Sequence, residues 1–323
     1  MASKSFTLNS GYKIPAIGLG TWKSLPHEVE KAVEVALKAG YRHIDGAAIY
    51  ENEEEVGRGI KASGVLREDI FLTSKLWNNS HRPEDVEPAL NRTLKDLQTS
   101  YLDLYLIHWP VSFKACDSYY PRDPETGIFQ LDRGTNIKDT WQAMERLVEK
   151  GKVRSIGVSN FTTERVQEVL SFAKIPPVVN QIEAHPTLQQ PELTKYLKEN
   201  NILVQAYSPL GNNEYGKPRV MDDPVVVDLA KSLGLSPVAV LIAWAVQRDT
   251  VVLPKSVTPQ RIIDNFKDVE LPASAMQTLN ALERHNRYNV PTQWGFDIFR
   301  ELGEDVVTEA AKKYGEENPI QKL

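Results

Sequence analysis

Apolar residues along this chain alternate between two rhythms. Short apolar runs fall at 16–19, 43–45, 70–75, 102–108, 154–159, 178–183, 203–207 and 251–254, with amphipathic segments between them. Val29, Ala32, Val33, Ala36 and Leu37 recur at the i, i+3, i+4, i+7, i+8 spacing of one helical face. Val86, Leu90, Leu94 and Leu97 mark a second such face; Trp141, Met144 and Val148 mark a third, and Val166, Val169, Leu170 and Ala173 a fourth. Runs without polar alternation are what a strand shows when both its faces are buried. Eight strands, each followed by a helix and joined by short connections, predict a closed parallel α/β structure, the (β/α)8 barrel, over an open doubly wound sheet. The whole of residues 1–323 is read as one barrel domain.

Three segments fall outside the alternation. Residues 5–14 read as an N-terminal β-hairpin, with strands at 6–8 and 13–14 about an Asn9-Ser10-Gly11 turn. Residues 110–136 and 211–223 read as long loops leaving the C-terminal rim of the barrel, where a lid belongs. The polar tail, residues 300–323, is expected to be helical or frayed, with little part in the core.

Composition narrows the class. A 41% hydrophobic share supplies a large core, and a net charge of −5 argues against nucleic-acid or anionic-membrane partners. A single cysteine, Cys116, points to a reducing compartment, with the cytoplasm as default. No apolar run reaches the ~18 residues of a membrane span. The closing Gln321-Lys322-Leu323 is only loosely like a peroxisomal address, because a small residue is expected at its first position. Nothing in the sequence demands more than a monomer.

The chemistry gathers at the strand ends. Strand 2 ends in Asp45, strand 3 in Lys75 and strand 4 in His108, and Tyr50 follows five residues after Asp45. Each alone reads as a cap, an exposed tip or a packing group. Packing gives no reason for Asp, Lys and His at one layer of consecutive strands, so together they read as a catalytic group. A phenol titrates near ~10, too high for efficient proton donation at neutral pH, and the Lys75 ammonium is expected to lower it. Asp45 would pair with Lys75, and His108 would donate a hydrogen bond to a substrate oxygen.

A proton donor at a carbonyl site needs an electron source. No metal-ligand spacing is present; the histidines are scattered, and His185 reads as structural before it reads as a ligand. A nicotinamide cofactor is the natural candidate. Gly18-Leu19-Gly20 begins like a dinucleotide fingerprint but lacks the third glycine. Lys255 to Arg261 is more telling: Thr258 suits an N-cap and Pro259 the first helical position, and Lys255 and Arg261 flank the resulting anion site. A ribose 2′-phosphate fits both cations.

These residues resemble a known family. Gly40-Tyr41-Arg42-His43-Ile44-Asp45-Gly46-Ala47, continued by Tyr50, Glu51-Asn52-Glu53 and Val56-Gly57, is similar to the leading signature of the aldo-keto reductases. So are Lys75-Leu76-Trp77, Leu106-Ile107-His108-Trp109-Pro110, Ile156-Gly157-Val158-Ser159-Asn160-Phe161, Asn180-Gln181-Ile182-Glu183, Ala206-Tyr207-Ser208-Pro209-Leu210-Gly211 and Pro254-Lys255-Ser256. The likeness runs from about Phe6 to Phe299, and within the family it leans toward fungal NADP-dependent glycerol dehydrogenases and glyceraldehyde or sugar reductases.

The resemblance implies NADPH as cofactor, aldehyde reduction as the reaction and polyol or glycerol oxidation as its reverse. It implies that Ser159, Asn160 and Gln181 hold the nicotinamide carboxamide, and that Tyr207 stacks on the ring. Ser208, Leu210 and the loop from Gly211 would close over the pyrophosphate, with Thr21 and Trp22 also beside the cofactor. Lys255, Ser256, Val257 and Arg261 would take the 2′-phosphate and Asn265 the adenine, with Asp264 where many relatives carry Glu. Trp22, Ile49, Trp77, Trp109, Tyr119 or Tyr120, Tyr288, Asn289 and Trp294 would wall the substrate pocket. Two rival readings stand beside this one: a Schiff-base aldolase acting through Lys75, and a non-catalytic NADPH-binding sensor or scaffold barrel.

Overall fold

A computed structural model describes residues 4–212, 216–267 and 269–320. Met1, Ala2, Ser3, Asn213, Glu214, Tyr215, Asp268 and the closing Gln321-Lys322-Leu323 lie outside the described residues. The hairpin forms from β1 (Ser5–Thr7) and β2 (Lys13–Pro15), antiparallel, with Phe6 opposite Ile14. Ile14 and Leu8 pack against Phe71, Leu104, Val178 and Val251. The hairpin therefore plugs the N-terminal end of the barrel and leaves the opposite rim free for chemistry.

Eight parallel strands follow in chain order around the sheet: β3 (Leu19–Gly20), β4 (His43–Asp45), β5 (Phe71–Leu76), β6 (Leu102–Ile107), β7 (Val153–Ser159), β8 (Val179–Glu183), β9 (Leu203–Tyr207) and β10 (Val251–Val252). Three bonds close the ring: Val252 N–H donates to the Ala16 carbonyl at 2.8 Å, Gly18 N–H to Val252 at 2.9 Å and Gly20 N–H to Pro254 at 3.2 Å. The (β/α)8 barrel is thus the observed fold. Strands 1 and 8 are shorter than the apolar runs at 16–19 and 251–254. Pro254 has no N–H to extend the ladder. At Gly18 a Cβ would meet the His43 ring at 2.7 Å and Leu253 at 2.8 Å, so the seam closes only because glycine stands there.

The helices are α1 (Val29–Ala39), α2 (Glu53–Ser63), α3 (Pro83–Asp96), α4 (Ile137–Glu149), α5 (Thr163–Leu170), α6 (Pro191–Glu199), α7 (Pro224–Leu233), α8 (Pro237–Gln247), α9 (Pro259–Asn265), α10 (Ala273–Asn280) and α11 (Glu304–Glu317). All five stripe residues of α1 are buried. The fourth stripe overreaches: α5 ends at Leu170, before Ala173. No single helix among the described residues is long and apolar enough to cross a membrane.

The tail corrects its expectation. It is helical, but α11 buries Val307, Ala311 and Gly315 against the rim. Gly315 meets Gly127 of the 110–136 loop backbone to backbone, Tyr314 packs on Phe129 at 5.8 Å, and Arg122 donates to the Asn318 carbonyl at 2.7 Å. Polar composition hid this because the helix docks through small residues.

One buried carboxylate predicts a measurable pH effect. Glu53, 5% exposed, accepts from Ser74 Oγ at 2.5 Å and Thr93 Oγ1 at 2.9 Å, and burial raises its pKa from 4.5 to about 7. Between these values the unfolded chain has ionised and the folded chain has not, so stability falls as pH rises from about 4.5 to about 7 and then stays low. The loss is about 3 kcal/mol for 2.5 pH units. Glu53→Gln keeps a partner for both hydroxyls, so its melting temperature should exceed the parent's at pH 8 and approach it near pH 4.5. A gap independent of pH would assign the effect elsewhere.

Candidate active site

The strand ends bring the four expected groups together. Lys75, the penultimate residue of β5, is fully buried, and its Nζ donates to Asp45 Oδ2 at 2.7 Å, Gly46 O at 2.8 Å and Tyr50 Oη at 3.3 Å. All three ammonium protons are therefore used. Asp45 closes β4 and has a second donor, Gln181 Nε2, at 2.8 Å from Oδ1. Tyr50 ends a short 3₁₀ turn after β4, and its ring meets His108 edge-on at 5.8 Å. His108 follows β6 and also packs edge-on against Trp77 at 5.1 Å.

The electrostatics correct one expectation. Lys75 does not bring the phenol below its ordinary value in this pocket. Burial, and then the Asp45 carboxylate, hold Tyr50 well above it. Asp45 lies close enough to Lys75 to offset most of the ammonium's field. Burial also lowers Lys75 itself, and with Lys75 and His81 nearby it drives His108 well below the usual imidazole range. The resting pocket thus holds a neutral phenol and a neutral imidazole at physiological pH.

A cavity of about 580 Å³ opens above this group at the C-terminal rim. Asp45, Tyr50 and His108 form its base; Lys75 lies behind them. Trp22, Ile49, Trp77, Trp109, Asn289 and Trp294 line it, and of the two candidate tyrosines Tyr120 faces it. Tyr119 instead offers its carbonyl to Trp77 Nε1 at 2.7 Å. Tyr288 is also corrected: it is buried away from the lining, with its hydroxyl donating to the Pro218 carbonyl at 2.5 Å.

Thr21, Ser159, Asn160, Gln181, Tyr207, Ser208, Leu210 and Lys255 line the other half of the same cavity. Asn160 and Ser208 adopt positive φ, 63° and 47°, a strained backbone that clusters at binding sites. Tyr207 Oη donates to Asn160 Oδ1 at 2.5 Å, and Asn160 Nδ2 to the His108 carbonyl at 3.0 Å. Ser256, Val257, Arg261 and Asn265 lie outside the lining, on the segment that runs from Lys255 into α9. Thr258 occupies the N-cap position, but its side chain makes no cap bond there. Asp264 is held by Lys267 and Gln260. Lys255 donates to the Lys23 carbonyl at 2.9 Å.

His185 is structural, bonded to Glu183 at 3.0 Å and Thr187 at 3.0 Å. No group of His, Cys, Asp or Glu suited to a metal occurs among the described residues. Two functional side chains carried no role in the sequence reading. Gln205 accepts from Gln181 Nε2 at 3.0 Å, and Glu183 anchors the C-terminal segment. The alternation Gln181/Glu183 and Gln205/Tyr207 puts these residues in the inward layer that holds Asp45, which is the signal that marks them.

The aldo/keto reductase family profile matches residues 16–284. Aldo-keto reductase family 1 member A1 of Xenopus tropicalis is 48% identical, covering 92% of this chain and 94% of its own. D/L-glyceraldehyde reductase of Hypocrea jecorina is 46% identical, covering 92% and 95%. The solved aldose reductase from Schistosoma japonicum superposes with a TM-score of 0.86 at 40% identity, covering 92% and 99%.

Proposed function

This chain belongs to the aldo/keto reductase family and is an NADP-dependent oxidoreductase; from that premise we propose that it reduces small hydroxyaldehydes, sugars and aromatic aldehydes with NADPH, and oxidises polyols such as glycerol in reverse. The observation that carries this reading is Tyr50 Oη, 3.3 Å from the buried Lys75 ammonium at the base of a two-sided cavity. Tyr50 is the acid, passing its proton to the carbonyl oxygen; His108, neutral, orients that oxygen by a hydrogen bond. When bound, NADPH supplies the hydride.

The cofactor half has donors of the right kind. Ser159, Asn160 and Gln181 suit a carboxamide, and Tyr207 offers an aromatic face. Ser208 and Leu210 would flank the pyrophosphate, while Lys255, Ser256, Val257, Arg261 and Asn265 would take the 2′-phosphate and adenine. Trp22, Ile49, Trp77, Trp109, Tyr120 and Trp294 supply apolar walls that favour breadth toward aldehydes. The mildly acidic chain with one cysteine fits a monomeric cytoplasmic enzyme.

The test is loss of NADPH absorbance with DL-glyceraldehyde and a panel of sugars and aromatic aldehydes; binding of NADPH without turnover anywhere on the panel would make the chain a sensor. Arg261→Ala should cut the preference for NADPH over NADH at least tenfold, the weight of a charge-assisted bond to phosphate. An unchanged ratio would move the 2′-phosphate elsewhere. The Schiff-base alternative is disfavoured because Lys75 Nζ is engaged by Asp45, the Gly46 carbonyl and Tyr50 and is paired with a carboxylate. Borohydride trapping of a carbonyl on Lys75 would restore it.

A further inference from the structure

The inner layer of the barrel carries a line of hydrogen bonds from the N-terminal hairpin to Asp45. His43 on β4 and Gln205 on β9 are both fully buried and stand outside the cavity lining. Gln205 is the register partner of Gln181 on β8. Burying three polar side chains in a barrel core is costly unless each is bonded, and packing alone gives no reason for them.

The line has a direction, and both of its ends set the same one. At one end the Pro15 carbonyl, which can only accept, lies 3.4 Å from His43 Nδ1. Burial lowers the pKa of His43 to about 4, so the ring is neutral near neutral pH and its one proton sits on Nδ1. Nε2 is then an acceptor, and Gln205 Nε2 donates to it at 3.3 Å. That turns Gln205 Oε1 toward Gln181 Nε2, which donates at 3.0 Å. At the other end the Asp45 carboxylate, also an acceptor, takes a Gln181 Nε2 proton at 2.8 Å. With both Nε2 protons committed, the Gln181 amide is fixed at two points, and Oε1 is the group it can offer to the cavity it lines.

We propose that Gln205 and His43 are positioning residues that fix the Gln181 amide so that its Oε1 accepts from the carboxamide NH₂ of the nicotinamide. The inference rests on the cofactor reading above and deepens it. The barrel core, through residues that never touch the cofactor, selects a ring substituent that carries N–H donors.

The experiment measures binding to the full-length protein by titration calorimetry, with NADP⁺ and its acetylpyridine analogue as probes. The analogue keeps the carbonyl and replaces the carboxamide NH₂ by a methyl group, which leaves Oε1 without a donor. The parent should bind NADP⁺ about tenfold tighter than the analogue. Gln205→Met is similar in volume, removes both amide bonds and leaves every cavity-lining residue in place. It should weaken NADP⁺ about fivefold and change the analogue by less than about twofold, so that the preference shrinks. His43→Leu, which removes the acceptor for Gln205, should shrink it in the same way. A merely structural role would weaken both ligands alike; that result, or a parent-like preference in either folded variant, overturns the proposal. So does a parent that binds both ligands equally well, whatever the variants do. A parent that binds neither overturns the cofactor reading and this inference with it.

Discussion

Tyr50→Phe is expected to slow aldehyde reduction by about a thousandfold while leaving NADPH affinity and melting temperature close to the parent's. The size of the effect is that of removing a general acid from a site that has no second one in place. His108 cannot substitute, because burial and the Lys75 charge keep its imidazole neutral and a poor proton donor. The fold should tolerate the change. Phenylalanine keeps the ring that packs edge-on against His108 at 5.8 Å, and Lys75 retains Asp45 and the Gly46 carbonyl at 2.7 and 2.8 Å. The same environment sets a direction for pH. With the phenol held well above its ordinary value, the acid form dominates at neutrality, and reduction draws on it directly. Alcohol oxidation needs the phenolate, so its rate should climb as pH rises through the neutral range. Steady-state rates in both directions check this. Turnover of aldehyde within tenfold of the parent's in Tyr50→Phe would remove Tyr50 as the acid.

The parts of this site that were legible in the sequence share one property: each is a charged or aromatic residue at the end of an apolar run. Asp45, Lys75 and His108 sit where β4, β5 and β6 finish, so the strand pattern itself delivered their positions. Elements held by small residues were harder to see. The helix α2 shows no strong apolar stripe because Gly57 and Gly59 form much of its buried face; a Cβ on Gly59 would meet the Glu30 carbonyl at 2.5 Å and Val33 at 2.9 Å. The helix α11 docks the same way through Ala311 and Gly315, so its polar composition read as a frayed tail. Tyr288 was placed in the pocket wall by resemblance, yet its side chain turns toward Pro218. Identity along the chain does not report which way a ring faces. The direction at Tyr50 depends on more than its cationic neighbour: the Asp45 carboxylate 2.7 Å from Lys75 and the desolvation of the phenol both act against the ammonium.

That balance of charges is most sharply exposed by removing one of them. Lys75→Met fills a similar volume but leaves Asp45, 3% exposed, with Gln181 Nε2 as its remaining side-chain donor. Breaking a buried pair in this way costs about 3–5 kcal/mol, because the surviving charge stays desolvated. The deficit of Lys75→Met against the parent should be read by chemical denaturation at neutral pH. Adding Asp45→Asn removes the stranded charge and should recover most of the stability. It should recover none of the reductase activity, because the phenolate left once Tyr50 has given up its proton then has no ammonium donating to it. A double variant as unstable as Lys75→Met would mean that lost packing, not the buried charge, sets the deficit. A double variant that regained turnover would show that the Asp45–Lys75 pair holds the fold and takes no part in the chemistry at Tyr50.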